Sequence, residues 1–176
     1  TLIFALVPAL AHATWSISAV DQKTKTIVIA SATCVTSAGL ASRGGLRNIQ
    51  AIVVPGIGVA AAQANVDSSR RNQQLIYDEL RKGTPPSDIL SLLQSDPAIA
   101  SRQFGIIDLQ GRVGGFSGAG NQAVSIDRQG QVPGTGIFYS IQGNILASEA
   151  VVTDAVAALV KATGALTDRV MAAMEA

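Results

Sequence analysis

Thr14 carries chemistry that the rest of the sequence lacks. A threonine hydroxyl is a poor nucleophile until a base takes its proton. The chain has one His, His12, and one Cys, Cys34, so conventional bases are scarce. If the chain is cut after Ala13, His12 is lost and Thr14 becomes the first residue. It then brings its own base, the α-amine, tethered two bonds from the carbon that bears the hydroxyl. With a pKa of about 7.7–8.0, roughly a tenth of that amine is neutral at pH 7. A lysine at about 10.4 would be neutral less than about 0.1% of the time. One residue could therefore supply both nucleophile and base.

The cut itself is written in residues 1–13, TLIFALVPALAHA, which carry no charge and are mostly apolar. Leu2–Ala11 has the length of the apolar region of a signal peptide and is too short to span a bilayer. Ala11-His12-Ala13 is a small-x-small site of the kind signal peptidase reads. No initiator Met or basic leading segment precedes it, so residues 1–13 are expected to be the remnant of a leader. A buried N-terminal strand or helix, or an uncleaved anchor, are the other readings. Cleavage predicts a secreted or periplasmic protein whose single domain is residues 14–176.

Other motifs carry less. Cys34 has no His partner in the cleaved chain and no adjacent cation to lower its pKa, so a small buried or half-buried residue is expected. Gly56-Ile57-Gly58-Val59-Ala60-Ala61 fits G-x-G-x-x-A, with Asp78 about twenty residues on. A dinucleotide site needs that turn to open a helix and the acid to end a second strand. Asp78 instead falls in a predicted helix, so a tight strand–turn–strand is expected. Asp21, Asp67, Asp78, Asp88, Asp96, Asp108 and Asp127 are scattered singly over turns and helix ends, as capping and solvation require. Arg70-Arg71 and Arg81-Lys82 read as the wet face of a helix.

Composition narrows the function further. The 13 Lys+Arg against 12 Asp+Glu give a net charge of +1, with no basic block, which argues against nucleic acid. Aromatics at 4% argue against a stacking platform, and a single Cys excludes an internal disulfide framework and multi-Cys metal sites. With 48% hydrophobic and 14% charged residues, the 176-residue chain is far from a disordered composition and long enough to bury a core. The expected chemistry needs no metal or cofactor.

The elements that must position Thr14 follow from periodicity. Thr14–Val20 and Thr26–Ala32 read as strands joined in a hairpin across a polar turn. Ser37–Asn48 is Gly- and Ser-rich and reads as a loop. Ile49–Gln63 reads as two short strands broken at Pro55-Gly56. Ser68–Lys82 predicts a helix stopped by Gly83, and Thr84 is expected to cap a second helix that opens with Pro85-Pro86 and ends near Asp96-Pro97. Phe104–Leu109, Arg112–Ser117 and Ile137–Gln142 predict strands. Ser148–Ala162 and Leu166–Ala176 predict Ala-rich amphipathic helices. Strand runs and helix runs are segregated, which argues for stacked sheets with helices outside them.

Several blocks in order resemble the domain of unknown function 1028 family, over Thr14 to Ala176. They are Thr14-Trp15-Ser16-Ile17, Ala30-Ser31, Gly56-Ile57-Gly58-Val59-Ala60-Ala61-Ala62-Gln63, Arg102-Gln103-Phe104-Gly105-Ile106-Ile107-Asp108, Phe116-Ser117-Gly118, and Ile141-Gln142-Gly143-Asn144-Ile145-Leu146. That family is assigned to the N-terminal-nucleophile (Ntn) hydrolases. The resemblance implies an α+β fold, a four-layer αββα sandwich of mainly antiparallel sheets with the nucleophile at the start of the first strand. Similar cytoplasmic proteins expose the Thr by losing an initiator Met, whereas this chain would need signal peptidase. A late Gly-Gly-Asp and Arg-Gly-x-Gln-Ser segment expected of such proteins is absent, so a C-terminal strand or two is expected to be missing. A proteasome-like Lys is also absent, since Ala30-Ser31-Ala32-Thr33 stands at that strand.

The expectation is an exported hydrolase of small-molecule or peptide amides that uses Thr14, with no nucleic-acid partner and no membrane contact after leader cleavage. A homo-oligomer is compatible with it. Asn144, Gln142 and Gln63 are candidates by type and position for stabilising the oxyanion, and Ser31 for orienting the Thr14 amine. A structural hydrogen bond is an equal reading for each. The alternative function is a binding or structural module on the same sandwich without catalysis.

Overall fold

Thr14–Asp21 alternates so that Ser16, Ser18 and Val20 share one face and Ile17 and Ala19 the other, yet all five are buried. Such a strand needs cover on both sides, and the computed structural model, which describes residues 13–176, supplies it. This strand, β1, pairs antiparallel with β2 (Thr26–Thr33) and with β8 (Ile137–Asn144). β7 (Ile126–Gln131) completes a sheet of order β2-β1-β8-β7. The second sheet, also antiparallel, has the order β3-β4-β5-β6, from Ala51–Val54, Gly58–Ala64, Arg102–Asp108 and Val113–Ser117.

Helices close the two outer faces. The apolar face of the first sheet, with Ile17, Ala19 and Ile141, packs on Val152, Ala155, Leu159, Leu166 and Val170. Those residues come from α5 (Ala150–Lys161) and α6 (Leu166–Met174). The second sheet turns Ile52, Ala60, Phe104 and Ile106 toward Ile76, Leu80, Ile89 and Leu93. These belong to α3 (Arg71–Lys82) and α4 (Pro86–Leu93). The fold is thus an αββα sandwich in which each amphipathic helix pair covers one sheet, as the segregated element order predicts.

Four local readings need correction. Ser37–Asn48 is not a loop throughout. It holds two short helices, α1 (Ser37–Ala41), capped by the Thr36 side chain, and α2 (Gly45–Gln50). Their only buried residue is Gln50, so no apolar stripe announced them. β7 was not expected either, because Asp127, Arg128, Gln129 and Gln131 give it no apolar alternation. Thr84 does not cap α4, because its hydroxyl donates to Glu79 and Pro85 holds the cap position. Cys34 is exposed rather than buried, one residue beyond β2, where its thiol donates to the Ala13 carbonyl.

The G-x-G-x-x-A segment is a turn leading into β4, with Asp78 inside α3, as expected. The leader read over residues 1–13 lies, except for Ala13, outside the described residues. Among the described residues no helix is long and apolar enough to cross a membrane.

Candidate functional site

Antiparallel register decides which side chains meet at Thr14. Its strand partners are Thr33 on β2 and Asn144 on β8. Directly paired residues project to the same face of a sheet. Thr14, Thr33 and Asn144 therefore form the outermost row on the face that looks at the second sheet. The next row inward is Ser16, Ser31 and Gln142. Ser31 thus stands one row deeper than Thr14, and the side chain bonded to Thr14 is Thr33, with 2.8 Å between the two hydroxyl oxygens. The Val35 backbone N–H donates to Thr33 Oγ1 at 3.2 Å and steadies it.

Behind this row lies a buried cluster of amides. Gln63 on β4 sits at its centre. Its Oε1 accepts from Ser16 Oγ at 2.7 Å and from the Gln50 amide. Its Nε2 reaches Gln103 Oε1 at 2.6 Å, the Gln142 carbonyl at 3.3 Å and the Thr14 carbonyl at 3.4 Å. Gln142 Nε2 donates to Ser16 Oγ at 2.7 Å, and Asn144 Nδ2 donates to Gln103 Oε1 at 3.2 Å. Gln103 Nε2 donates onward to Ser117 Oγ at 2.7 Å and the Gly143 carbonyl at 2.9 Å. All of these amide residues are buried, so the network satisfies groups that would otherwise be costly to desolvate.

Glycines make room for it. Gly105 and Gly115 are paired on β5 and β6. A Cβ on Gly105 would overlap Gln142 Oε1, and one on Gly115 would overlap the Gln129 amide. Here the absence of a side chain on one sheet accommodates an amide from the other.

Thr14 and Thr33 open onto a cleft of about 370 Å³. Its walls include Leu40, Leu46 and Ile49 from the α1–α2 segment and Gln63, Ala64 and Asn65 from the end of β4. Among the described residues, Arg43 is the one ionisable side chain that lines it. The Asn65 wall is anchored from behind, since the Arg102 guanidinium donates to the Asn65 carbonyl and pairs with Asp96 at 2.8 Å. That guanidinium contact, helped by Asn72, holds the Asp96 carboxyl down at about 2 against the opposing effect of burial. A larger cavity of about 560 Å³ lies between α2 and α3, and no Ser, Thr, Cys or Lys is among the described residues that line it.

Of the five residues singled out, Thr14, Gln63, Gln142 and Asn144 are joined in one network, directly or through Ser16 and Gln103. Ser31 stays outside it and lines a neighbouring cleft with Gln50. Sequence reasoning missed Thr33, Ser16, Gln50 and Gln103. Polar residues at alternate positions of otherwise apolar strands were the available signal. Among the described residues no group of three or more His, Cys, Asp or Glu could hold a metal.

The family model described as a family of unknown function, DUF1028, matches residues 14–176. The crystal structure of protein SPO2555 from Silicibacter pomeroyi, assigned to the same family model, is similar with a TM-score of 0.76 and 25% identity. The match covers 93% of this chain and 69% of that one. No curated protein matches the chain.

Proposed function

The chain belongs to the family of unknown function DUF1028, and on that premise we propose that it is an exported hydrolase of the N-terminal-nucleophile type, cleaving an amide bond through Thr14. The observation that carries the reading is the place of Thr14. It opens the β1–β2 hairpin, lines a cleft, and has its hydroxyl 2.8 Å from another hydroxyl. With Thr33 as donor in that pair, the Thr14 proton is left for a base. Removal of residues 1–13 creates that base as the Thr14 α-amine.

The reaction then runs in two halves. Thr14 Oγ attacks the amide carbonyl and its proton passes to the α-amine. As the C–N bond breaks, the amine returns the proton to the leaving nitrogen, and an ester forms on Thr14. Water attacks this ester, giving a proton to the amine, which restores it to Thr14 Oγ as the acid departs. The developing oxyanion needs a donor. Gln63 Nε2 is shared among three acceptors. Gln63 lines the cleft, while Asn144 lies opposite Thr14 in the sheet and uses one amide hydrogen on Gln103, which leaves its second uncommitted.

A second reading, a binding module without turnover, is favoured by one feature. The amides behind Thr14 are largely committed to one another, as in a structural network. The test separates the two. In a chain beginning at Thr14, Thr14→Ala should abolish hydrolysis of a panel of acyl amides while costing on the order of 1 kcal/mol of stability. One extra residue before Thr14 converts the amine to a non-basic amide and should be nearly as damaging. A binding module would tolerate the extension, and unchanged hydrolysis after it would refute the mechanism.

A further inference from the structure

Three neighbouring clefts that share wall residues surround the α1–α2 segment. The Thr14 cleft shares Leu46 and Gln50 with a second, of about 270 Å³. The second shares Arg47, Ala51 and Val53 with the cavity of about 560 Å³ between α2 and α3. The ionisable groups that line all three, apart from Tyr77, are arginines: Arg43, Arg47 and Arg70. No carboxylate lines any of them, and none of these guanidiniums belongs to an ion pair among the described residues. Arg70 donates to Asn48, while among the described residues the Arg43 and Arg47 guanidiniums form no hydrogen bond. In a chain of nearly balanced charge, that segregation builds a positive field along one route.

The same route holds two buried acceptors in want of a donor, Gln50 Oε1 and Gln73 Oε1. Gln50 is 2% exposed and Gln73 4%. Buried acceptors without partners are costly and rare, so a ligand N–H there would be favourable. The route also follows β3, the edge strand of its sheet, past Val53, which is 43% exposed. An edge strand offers backbone groups to an extended chain.

We propose that these clefts bind an acidic peptide, its carboxylates on Arg43, Arg47 and Arg70 and its backbone N–H groups on Gln50 and Gln73, with one end of the peptide in the Thr14 cleft. This names the substrate class of the hydrolase reading and rests on that reading only for what becomes of the bound peptide. Guanidinium–carboxylate hydrogen bonds supply the strength and backbone amides the register.

The test is calorimetric titration of the Thr14→Ala chain with acetyl-hexaglutamate amide, acetyl-hexaglutamine amide and acetyl-hexalysine amide. The glutamate peptide should bind at least about tenfold more tightly than the glutamine peptide, and the advantage should shrink with added salt. Arg47→Gln should remove most of that preference, and Arg43→Gln with Arg47→Gln should abolish it. Arg128→Gln, on the β7 edge, should change nothing. Equal binding of the glutamate and glutamine peptides would overturn the proposal. So would a preference that survives the double substitution, or a single-stranded oligonucleotide that binds as tightly as the glutamate peptide. In the chain beginning at Thr14, binding without turnover leaves this inference standing and removes the nucleophile. Turnover with no charge preference does the reverse.

Discussion

At one end of the gap between the sheets, Val20, Val59 and Ile107 meet as an apolar cluster. At the other, Ser16, Gln63, Gln103, Gln142 and Asn144 fill the same gap with amides and hydroxyls. The two ends lie on the same strands, only a few residues apart. Apolar contact holds surfaces together without regard to direction, so the Val20 end resists separation but tolerates small shifts. Hydrogen bonds demand distance and angle together. The amide end therefore fixes how β1, β4, β5 and β8 sit relative to one another, and Thr14 and Thr33 stand directly on it. The arrangement puts geometric control where a nucleophile would need it and generic cohesion where nothing reacts.

The comparison can be broken most forcefully at Gln103. Gln103→Leu should remove the acceptor for Gln63 and Asn144 and the donor to Gly143, leaving several buried groups unpaired. A loss of about 3 kcal/mol is expected in urea unfolding, with the denaturant slope unchanged. A loss below about 1 kcal/mol would mean that the network is not structural. Gly105→Ala acts on the same end by volume. Its Cβ would overlap Gln142 Oε1 and lie 2.6 Å from Ser140 Oγ, displacing a fully buried amide. About 2 kcal/mol of destabilisation is expected.

Ile107→Val, at the apolar end, should cost only about 1 kcal/mol and leave any turnover intact. An effect on turnover equal to that of Gly105→Ala would erase the distinction between the ends. The smallest expected effect sharpens it. The amides and hydroxyls behind Thr14 do not titrate near neutral pH, so the pH profile of hydrolysis should show a single rise through about 7.7–8.0 as the Thr14 amine loses its proton. A falling limb at neutral pH would contradict a mechanism whose one titrating group is the Thr14 amine.

Much of this architecture was legible in the sequence, and the failures share a cause. The β1–β2 hairpin, the break at Pro55-Gly56 and the two covering helix pairs all present an apolar face at the proper period. Helix α3 begins at Arg71, somewhat inside the span that periodicity suggests. β7, α1 and α2 escaped because polar and small residues outnumber their few large apolar ones, Ile126, Leu40, Leu46 and Ile49, and hide any period. The amide cluster escaped for the same reason. In TWSISAV and IFYSIQGN, alternate polar residues look like a solvent face, but a sheet covered on both sides has none. Residue type was enough to single out Gln63, Gln142 and Asn144. Pairing register, which is a long-range property, was needed to show that Thr33 rather than Ser31 meets Thr14.

Thr14 is the residue on which hydrolysis would depend, and acylation measures its reactivity directly. A β-lactone acylating probe is incubated with the chain beginning at Thr14 in a Cys34→Ser background, so that the exposed thiol cannot compete. Intact mass gives the number of acyl groups, and peptide mapping gives their position. The expected result is one ester on Thr14 Oγ, lost in Thr14→Ala and lost when a single residue is added before Thr14. An ester on Ser31, or labelling of Thr14 that survives the added residue, would contradict it.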